Sequence, residues 1–353
     1  MPRRRARRFL LSHHVHIEPS DHELEVDPGE SILDAALRQG LALPYGCRNG
    51  ACRSCKGRIL QGKVAYPNGR PKSLTPLDEA QGFALLCMAH AETDLRIAVE
   101  EIDSDQKIIV RTLPCRVVAK RQLAHDVIGL ELMLPASERL QFLPGQYVDV
   151  LLRDGRRRAF SLANAPREDD RLELQIRHVP GGTFSEHVFH HLKERALLRL
   201  RGPLGAFYLR KKDPRPVILM AGGTGFAPIK GIVEGALADG FPGEMHLYWG
   251  VRARRDLYMH ELASTWAAEH ARVHYTPVLS EPRPEDQWQG RTGFVHEVVI
   301  EDFADLSPFA VYASGPPVMI TAGRESFIAH GLDPDHFHSD SFDYAYETGH
   351  DRA

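Results

Sequence analysis

No apolar run in the 353-residue chain approaches the length of a membrane span, so no helical membrane insertion is expected. Net charge is close to absent too, at −3, and nothing overall calls for nucleic acid or a lipid surface as partner. Behind the arginines at 3, 4, 5, 7 and 8 only Phe9, Leu10 and Leu11 are apolar before Ser12, His13 and His14. An apolar h-region is therefore missing, a secretory signal is not expected, and the expected location is cytoplasmic. Cysteine is scarce and odd in number: Cys47, Cys52, Cys55, Cys87 and Cys115, three of them inside nine residues. That pattern argues against a secreted disulfide framework and points to a reducing compartment and to a metal or cluster. Low-complexity sequence is confined to the arginine-rich start. Residues 1–12 are read as a disordered solubilising tail, with a docking or nucleic-acid arm as the alternative.

What is present is ordinary globular composition, 43% apolar and 26% charged, over a length that suits two or three domains. Residues 14–26 alternate as a strand hairpin. Ser31 followed by Asp34 resembles a capping box, Ile32, Leu33, Ala36 and Leu37 make one helical face, and Gly40 ends it. Residues 92–106 hold six acidic residues against the single Arg96, and predict a last strand over Leu95 to Val99 running into an acidic linker. Short strands then recur at 114–118, 127–132, 146–152 and 171–176, the spacing of an antiparallel barrel. After the polar, proline-bearing boundary at 211–216 the apolar runs 217–220, 245–249, 273–276 and 310–313 alternate with helical stretches, which predicts a parallel sheet with crossover helices.

The cysteines carry the sharpest chemistry. Cys47, Cys52 and Cys55 have the spacing C-x4-C-x2-C, and Cys87 follows 32 positions after Cys55. This is the plant-type spacing for a [2Fe–2S] cluster. Four thiolates must converge on two irons, so the loop has to fold tightly, and Gly46 and Gly50 permit the backbone angles that this needs. A structural zinc site is the alternative, but zinc ligands usually come as two close pairs, whereas here the grouping is three plus one. Cys115, at a strand start, reads as a small buried residue.

Two further segments are weak singly. Arg158-Ala-Phe160-Ser161 follows a strand, and Gly181-Gly182-Thr183-Phe-Ser185 leads into a helix. Gly222-Gly223-Thr224-Gly225-Phe-Ala-Pro228 joins a strand to a helix start, and Ser314-Gly315-Pro-Pro317 comes later. Bare backbone at a helix N-terminus is where a pyrophosphate can bind, arginine pairs with phosphate oxygens in a bidentate manner, and proline suits the first helical turn.

Taken together and in this order, the segments resemble the ferredoxin–NAD(P)H reductase superfamily with an N-terminal plant-type [2Fe–2S] ferredoxin domain. Ser31-Ile-Leu-Asp-Ala-Ala36, Leu43-Pro-Tyr-Gly46 and Leu85-Leu-Cys-Met88 carry the ferredoxin part. Within the superfamily, Tyr45–Cys52 and His178–Ser185 are similar to the CDP-6-deoxy-3,4-glucoseen reductase type and to reductase components of multicomponent oxygenases. The resemblance implies a β-grasp ferredoxin domain (13–103), an antiparallel β-barrel flavin domain (110–212) and a parallel-sheet nucleotide-binding domain (213–353). It implies cluster ligands Cys47, Cys52, Cys55 and Cys87. It implies FAD held by Arg158 at the pyrophosphate, Phe160 on the isoalloxazine, Ser161 near N5, and Gly182, Thr183 and Ser185 at the helix start. Phe342 is the candidate aromatic over the flavin, and Gly222, Gly223, Thr224, Gly225, Pro228, Ser314 and Gly315 form the nicotinamide-nucleotide site.

The implied activity is electron transfer from NADH, with NADPH the other candidate, through FAD and the cluster to a partner such as a deoxysugar dehydrase or an oxygenase component. Arg252, Arg254 and Arg255 would suit a 2′-phosphate, and Asp256 would repel it. No general acid or base is expected, and the chain is expected to be a monomer. The rival reading is a redox-sensing or zinc-binding module that turns nothing over. Departures from the family pattern are Phe160 for the commoner tyrosine, Ser314 for cysteine, and Arg53, which is expected to alter the loop slightly or to expose a positive charge beside the cluster.

Overall fold

The computed structural model describes residues 12–41, 43–50, 53–99, 101, 109–166 and 171–342. The arginine-rich start and most of the acidic linker lie outside them. The chain divides into two compact units, Met1–Gln106 and Lys107–Ala353.

In the first unit β1 (His13–Glu18) and β2 (His22–Val26) form the predicted hairpin, and α1 (Ile32–Arg38) follows. The Ser31 side chain caps α1 by accepting from the Asp34 amide at 3.1 Å. Then come β3 (Lys56–Gln61), β4 (Val64–Ala65), α2 (Pro76–Ala80), β5 (Phe83–Leu85), β6 (His90–Ala91) and β7 (Leu95–Ala98). The sheet order is β2-β1-β7-β3-β5, with β1 parallel to β7 and the other neighbours antiparallel. Alternation decides which face is dry: Val15, Ile17, Leu24, Val26 and Ile97 point inward and are covered by Ile32, Leu33 and Ala36 of α1, all buried.

The second unit begins with six antiparallel strands: β8 (Arg111–Ala124), β9 (Val127–Met133), β10 (Tyr147–Leu151), β11 (Arg157–Ser161), β12 (Arg171–Arg177) and β13 (Leu197–Leu204), with α3 (Thr183–His190) between the last two. Their order is β11-β10-β13-β8-β9-β12. An antiparallel bridge between Leu162 and Leu174 links the two ends and closes the barrel. Inside lie Val117, Leu130, Leu132, Val148, Val150, Leu172 and Leu174. Cys115 is buried there as expected, and burial pushes its thiol up to about 12.

The rest of this unit alternates strand and helix: β14 (Val217–Gly222), α4 (Phe226–Ala238), β15 (Met245–Val251), α5 (His260–Glu269), β16 (Val273–Leu279), β17 (Arg291–Thr292), α6 (Val295–Asp302), β18 (Ala310–Gly315), α7 (Pro317–Ala329) and β19 (Phe337–Ser341). All pairings are parallel, in the order β17-β16-β15-β14-β18-β19. Every residue of β14 is buried because helices cover both faces, with Leu219 in one core and Ile218 and Met220 in the other. The chain order reverses between β14 and β18, and their carboxyl ends are where a ligand crevice opens in such sheets.

Candidate functional site

The cysteine loop runs from the end of α1 to β3. Four of its described residues take left-handed backbone angles: Gly40 (φ 80), Arg48 (φ 58), Gly50 (φ 77) and Arg53 (φ 65). A Cβ on Gly50 would meet Met88 Sδ at 2.4 Å, so the loop packs directly against the segment that carries Cys87. Cys55 and Cys87 are buried and Cys47 is half-buried, while Cys52 lies outside the described residues. Burial raises the Tyr66 hydroxyl pKa, and both Cys55 and Cys87 lie within its electrostatic reach. The chemistry of the described donors, two buried thiols and one half-buried, fits a thiolate-held cluster.

Arg53 corrects one expectation, because it exposes no free charge. Its guanidinium donates to both carboxylate oxygens of Asp78, at 2.7 and 2.8 Å, and to the carbonyl of Ser73. Asp78 in turn accepts from the Thr75 amide and hydroxyl at 2.9 and 2.6 Å. Burial opposes ionisation of Asp78, but the hydrogen bonds from Thr75 and Arg53 outweigh it and hold the carboxyl at about 2. The Ser73 hydroxyl donates to the Gly50 carbonyl, and Arg48 pairs with Asp34, so the loop is strapped at three places. Asp78→Asn is expected to weaken the strap by about 2 kcal/mol, the range for losing a charged hydrogen bond. The check is faster bleaching of the iron–sulfur absorbance in mild denaturant while flavin absorbance holds.

In the barrel, β11 carries Arg158, Phe160 and Ser161 beside β10. The Phe160 ring lies 5.4 Å from that of Phe184 in α3, centroid to centroid. Helix α3 starts at Gly182 with no side chain capping its amides, and Gly181 before it has φ 77. A Cβ on Gly182 would come within 2.8 Å of Ser185 Oγ and 3.0 Å of the Val179 carbonyl. The Ser185 hydroxyl closes this turn. It accepts from the Val179 amide and lies 3.1 Å from the Val179 and Gly182 carbonyls. Thr183 Oγ1 is reached by Arg156, at 3.1 Å, which the sequence reading did not single out. A helix start that no side chain caps, with Arg156 reaching Thr183, fits a pyrophosphate, so the residues suit a flavin dinucleotide.

At the end of β14, Gly223–Gly225 make one tight helical turn and α4 follows with Pro228 in its first turn. Trp249 Nε1 donates to the Gly223 carbonyl at 2.9 Å, and its ring stacks on Phe226 at 3.9 Å. A Cβ on Gly222 would meet Met319 Sδ at 2.6 Å, and one on Gly225 would sit 2.0 Å from the Ser314 carbonyl. Beside this turn opens a cleft of about 510 Å³, lined by Gly222, Gly223, Gly250, Arg252, Asp256 and Phe294 among others. Of the three arginines considered for a 2′-phosphate, only Arg252 lines the cleft, and Arg254 donates to the Asp286 carbonyl instead.

The two halves of the site meet at β18 and β19. Register sets Ser314 opposite both Ala221 and Asp340. The Ser161 hydroxyl donates to Asp340 Oδ2 at 3.0 Å, tying the flavin segment to the nucleotide sheet. Ser314 is fully buried, and its hydroxyl has no hydrogen-bond partner among the described residues, as suits a group that waits for a ligand. Phe342, half-buried, follows β19 with its amide 3.4 Å from the Gly315 carbonyl. Two further residues at the site, Asp340 and Lys230, are not announced by the sequence. Asp340 lies two residues before Phe342, in no motif of its own. Lys230 is a buried lysine whose Nζ reaches the Ala163 carbonyl at 2.8 Å, Glu173 at 2.7 Å and Glu234 at 2.9 Å, pinning α4 to the barrel.

A barrel with an open helix start, joined to a parallel sheet with a glycine turn at its switch point and preceded by a cysteine-loop domain, defines an electron-transfer flavoprotein reductase. Family models match three stretches: a 2Fe-2S iron-sulfur cluster binding domain at 15–92, an oxidoreductase FAD-binding domain at 114–208 and an oxidoreductase NAD-binding domain at 219–325. The chain is 40% identical over 332 residues to the CDP-6-deoxy-L-threo-D-glycero-4-hexulose-3-dehydrase reductase of Yersinia pestis, covering 94% of this chain and 99% of the relative. It is 34% identical over 345 residues to reductase component 2 of the terephthalate 1,2-dioxygenase of a Comamonas species, covering 96% and 100%. Among solved structures, the cytochrome P450 reductase of Amycolatopsis matches with a TM-score of 0.77 and 33% identity over 95% of this chain and 100% of that one. The chain therefore belongs to the ferredoxin–NAD(P)H reductase superfamily, in the group with an N-terminal [2Fe–2S] domain. It is an oxidoreductase with FAD, NAD-binding and [2Fe–2S] domains, built to move electrons from a reduced nicotinamide through flavin to the cluster. No helix among the described residues is long and apolar enough to cross a membrane.

Proposed function

We propose that this reductase oxidises NADH and delivers single electrons from its cluster to a protein partner of the deoxysugar dehydrase class. The observation that carries the coenzyme reading is the cleft beside the Gly222–Gly225 turn, whose lining includes Asp256. Asp256 is buried at the cleft wall, where a 2′-phosphate would meet a carboxylate, and this favours NADH. The partner reading rests on the near full-length similarity to the dehydrase reductase of Yersinia pestis. The P450 reductase of Amycolatopsis supports a second reading, in which an oxygenase takes the electrons.

When bound, the flavin accepts a two-electron hydride equivalent and parts with electrons singly, which the cluster takes one at a time. The protein binds and aligns. Cys47, Cys52, Cys55 and Cys87 would hold the cluster. Arg158, Gly182, Thr183 and the α3 amides would hold the flavin pyrophosphate, with Ser185 keeping their turn closed. Phe160 and Phe342 would flank the ring system, and Ser161, oriented by Asp340, would present its hydroxyl to the reacting edge. Gly222, Gly223, Thr224, Gly225, Pro228, Ser314 and Gly315 would seat the nicotinamide nucleotide. The barrel part of the chain, 110–212, and the sheet part, 213–353, would act as flavin and nucleotide domains, and residues 13–103 as the outlet. The protein works as a soluble cytoplasmic monomer that docks its partner transiently.

The test is the Cys87→Ser variant. NADH is expected to bleach its flavin band as in the wild type, with ferricyanide reduction retained and cytochrome c reduction lost. Loss of flavin reduction as well would refute the assignment of an outlet separate from the hydride site. In the wild type, kcat/KM is expected to favour NADH over NADPH, and the reverse would refute the role given to Asp256.

A further inference from the structure

Helix α3 carries a second constellation that the electron-transfer path does not use. Glu186 and His190 lie one turn apart on one face of the helix, and His178 precedes the Val179–Gly182 turn that leads into it. His178 Nε2 approaches Glu186 Oε1 at 3.1 Å, and His190 Nε2 approaches Glu186 Oε2 at 3.2 Å. The three ligand atoms lie within 4.8 Å of one another. We propose that His178, Glu186 and His190 form a zinc site, with water as the fourth ligand.

Two imidazoles and a carboxylate suit a borderline ion such as Zn²⁺, whose bonds of about 2.0–2.2 Å set tetrahedral neighbours roughly 3.4 Å apart. Each imidazole already stands near that spacing from one Glu186 oxygen, His178 from Oε1 and His190 from Oε2, and His190, 59% exposed, has solvent on its outer side and room to move. His178 Nε2 is shut off from solvent and has no well-aligned hydrogen bond among the described residues. A nitrogen that a carboxylate approaches without satisfying is one that an intervening cation would satisfy. The His178 ring is itself held by packing on Phe189, centroids 4.8 Å apart. Glu186 Oε1 also accepts from the Gly181 amide at 3.3 Å, which holds the carboxylate in place. Among the described residues no lysine or arginine competes for Glu186. The other cluster of this kind, His125 with Asp126 and Asp256, differs here: Arg177 sits 2.8 Å from Asp126, so a cation already occupies it. Bound zinc would tie the residue before the glycine turn to the second turn of α3.

The experiment uses the holo-protein, with flavin and cluster verified by visible spectrum, dialysed against Zn²⁺ buffered by a weak chelator, and zinc per chain counted by mass spectrometry. The wild type is expected to take up about one zinc that Glu186→Gln and His190→Ala bind about tenfold or more weakly, the least that losing a ligand should cost. His187→Ala, on the same helix but outside the triad, and His125→Ala are expected to keep it. Both test positions are solvent-facing, so the variants should fold. Equal zinc uptake by wild type and both triad variants, or no uptake by the wild type, would overturn the proposal.

Discussion

Gly225→Ala is expected to cut the rate of flavin reduction by NADH about a hundredfold, the cost of misplacing reacting groups by about an ångström. The backbone at this position, φ −59 and ψ −12, suits any residue, so the effect comes from space alone. A Cβ would sit 2.0 Å from the Ser314 carbonyl oxygen and 2.5 Å from its carbon, and neither is the loose end of a side chain. They belong to β18, buried along its whole length between β14 and β19. Either the glycine turn or the Ser314–Gly315 segment must move, and both line the place given to the nicotinamide. Gly222→Ala provides a graded comparison. Its clash is chiefly with Met319 Sδ, at 2.6 Å, which can swing aside, so a smaller loss is expected. Stopped-flow absorbance decides, with dithionite reduction as the control that the cofactors are in place. A Gly225→Ala rate within twofold of wild type would refute the argument.

Lys230→Met is expected to destabilise the Lys107–Ala353 unit by about 4 kcal/mol, as breaking a buried ion pair does when its partner is left behind. The lysine side chain is 5% exposed, and its removal strands Glu173 at the barrel and Glu234 on α4 next to each other. It also leaves the Ala163 carbonyl short of a donor. For a unit of this size the loss corresponds to a fall in Tm of roughly 10 °C, readable by flavin fluorescence during heating. Replacing Glu173 and Glu234 by leucine alongside Lys230→Met is expected to recover much of that stability, because no charge is then left uncompensated. Recovery would identify the pin as a device for alignment more than for strength.

These two positions also mark the limit of what the sequence makes legible. The cysteine spacing, the hairpin, four of the six barrel strands and the alternating sheet are visible because they are local: period two, period 3.6, glycine and proline punctuation. The strands β4 and β6 are two residues each, too short to print a period. Arg53 was read as a charge near the cluster because its neighbours in sequence are cysteines, whereas its partner Asp78 stands 25 positions on. Asp340 is tied to Ser161 across 179 positions, and no pattern within either segment announces the other. Lys230 sits on an apolar helix where a charged residue reads as solvent-facing. Only the packing of α4 on the barrel makes it the buried centre of three contacts. What composition and period reveal is which elements exist; which polar groups find each other is decided by tertiary approach.

The nucleotide cleft has one wall that is tightly packed and one rim that lies in solvent. On the β14 side a Cβ at Gly225 would meet the Ser314 backbone, and one at Gly222 would meet Met319. On the other side Phe294 is 61% exposed and Val318 78%, with Arg252 half in solvent. Sequence drift in this enzyme will therefore be lopsided, frozen at the turn and free at the rim. Exchanging one coenzyme for the other would have to reach past that rim to Asp256, which is buried in the cleft wall.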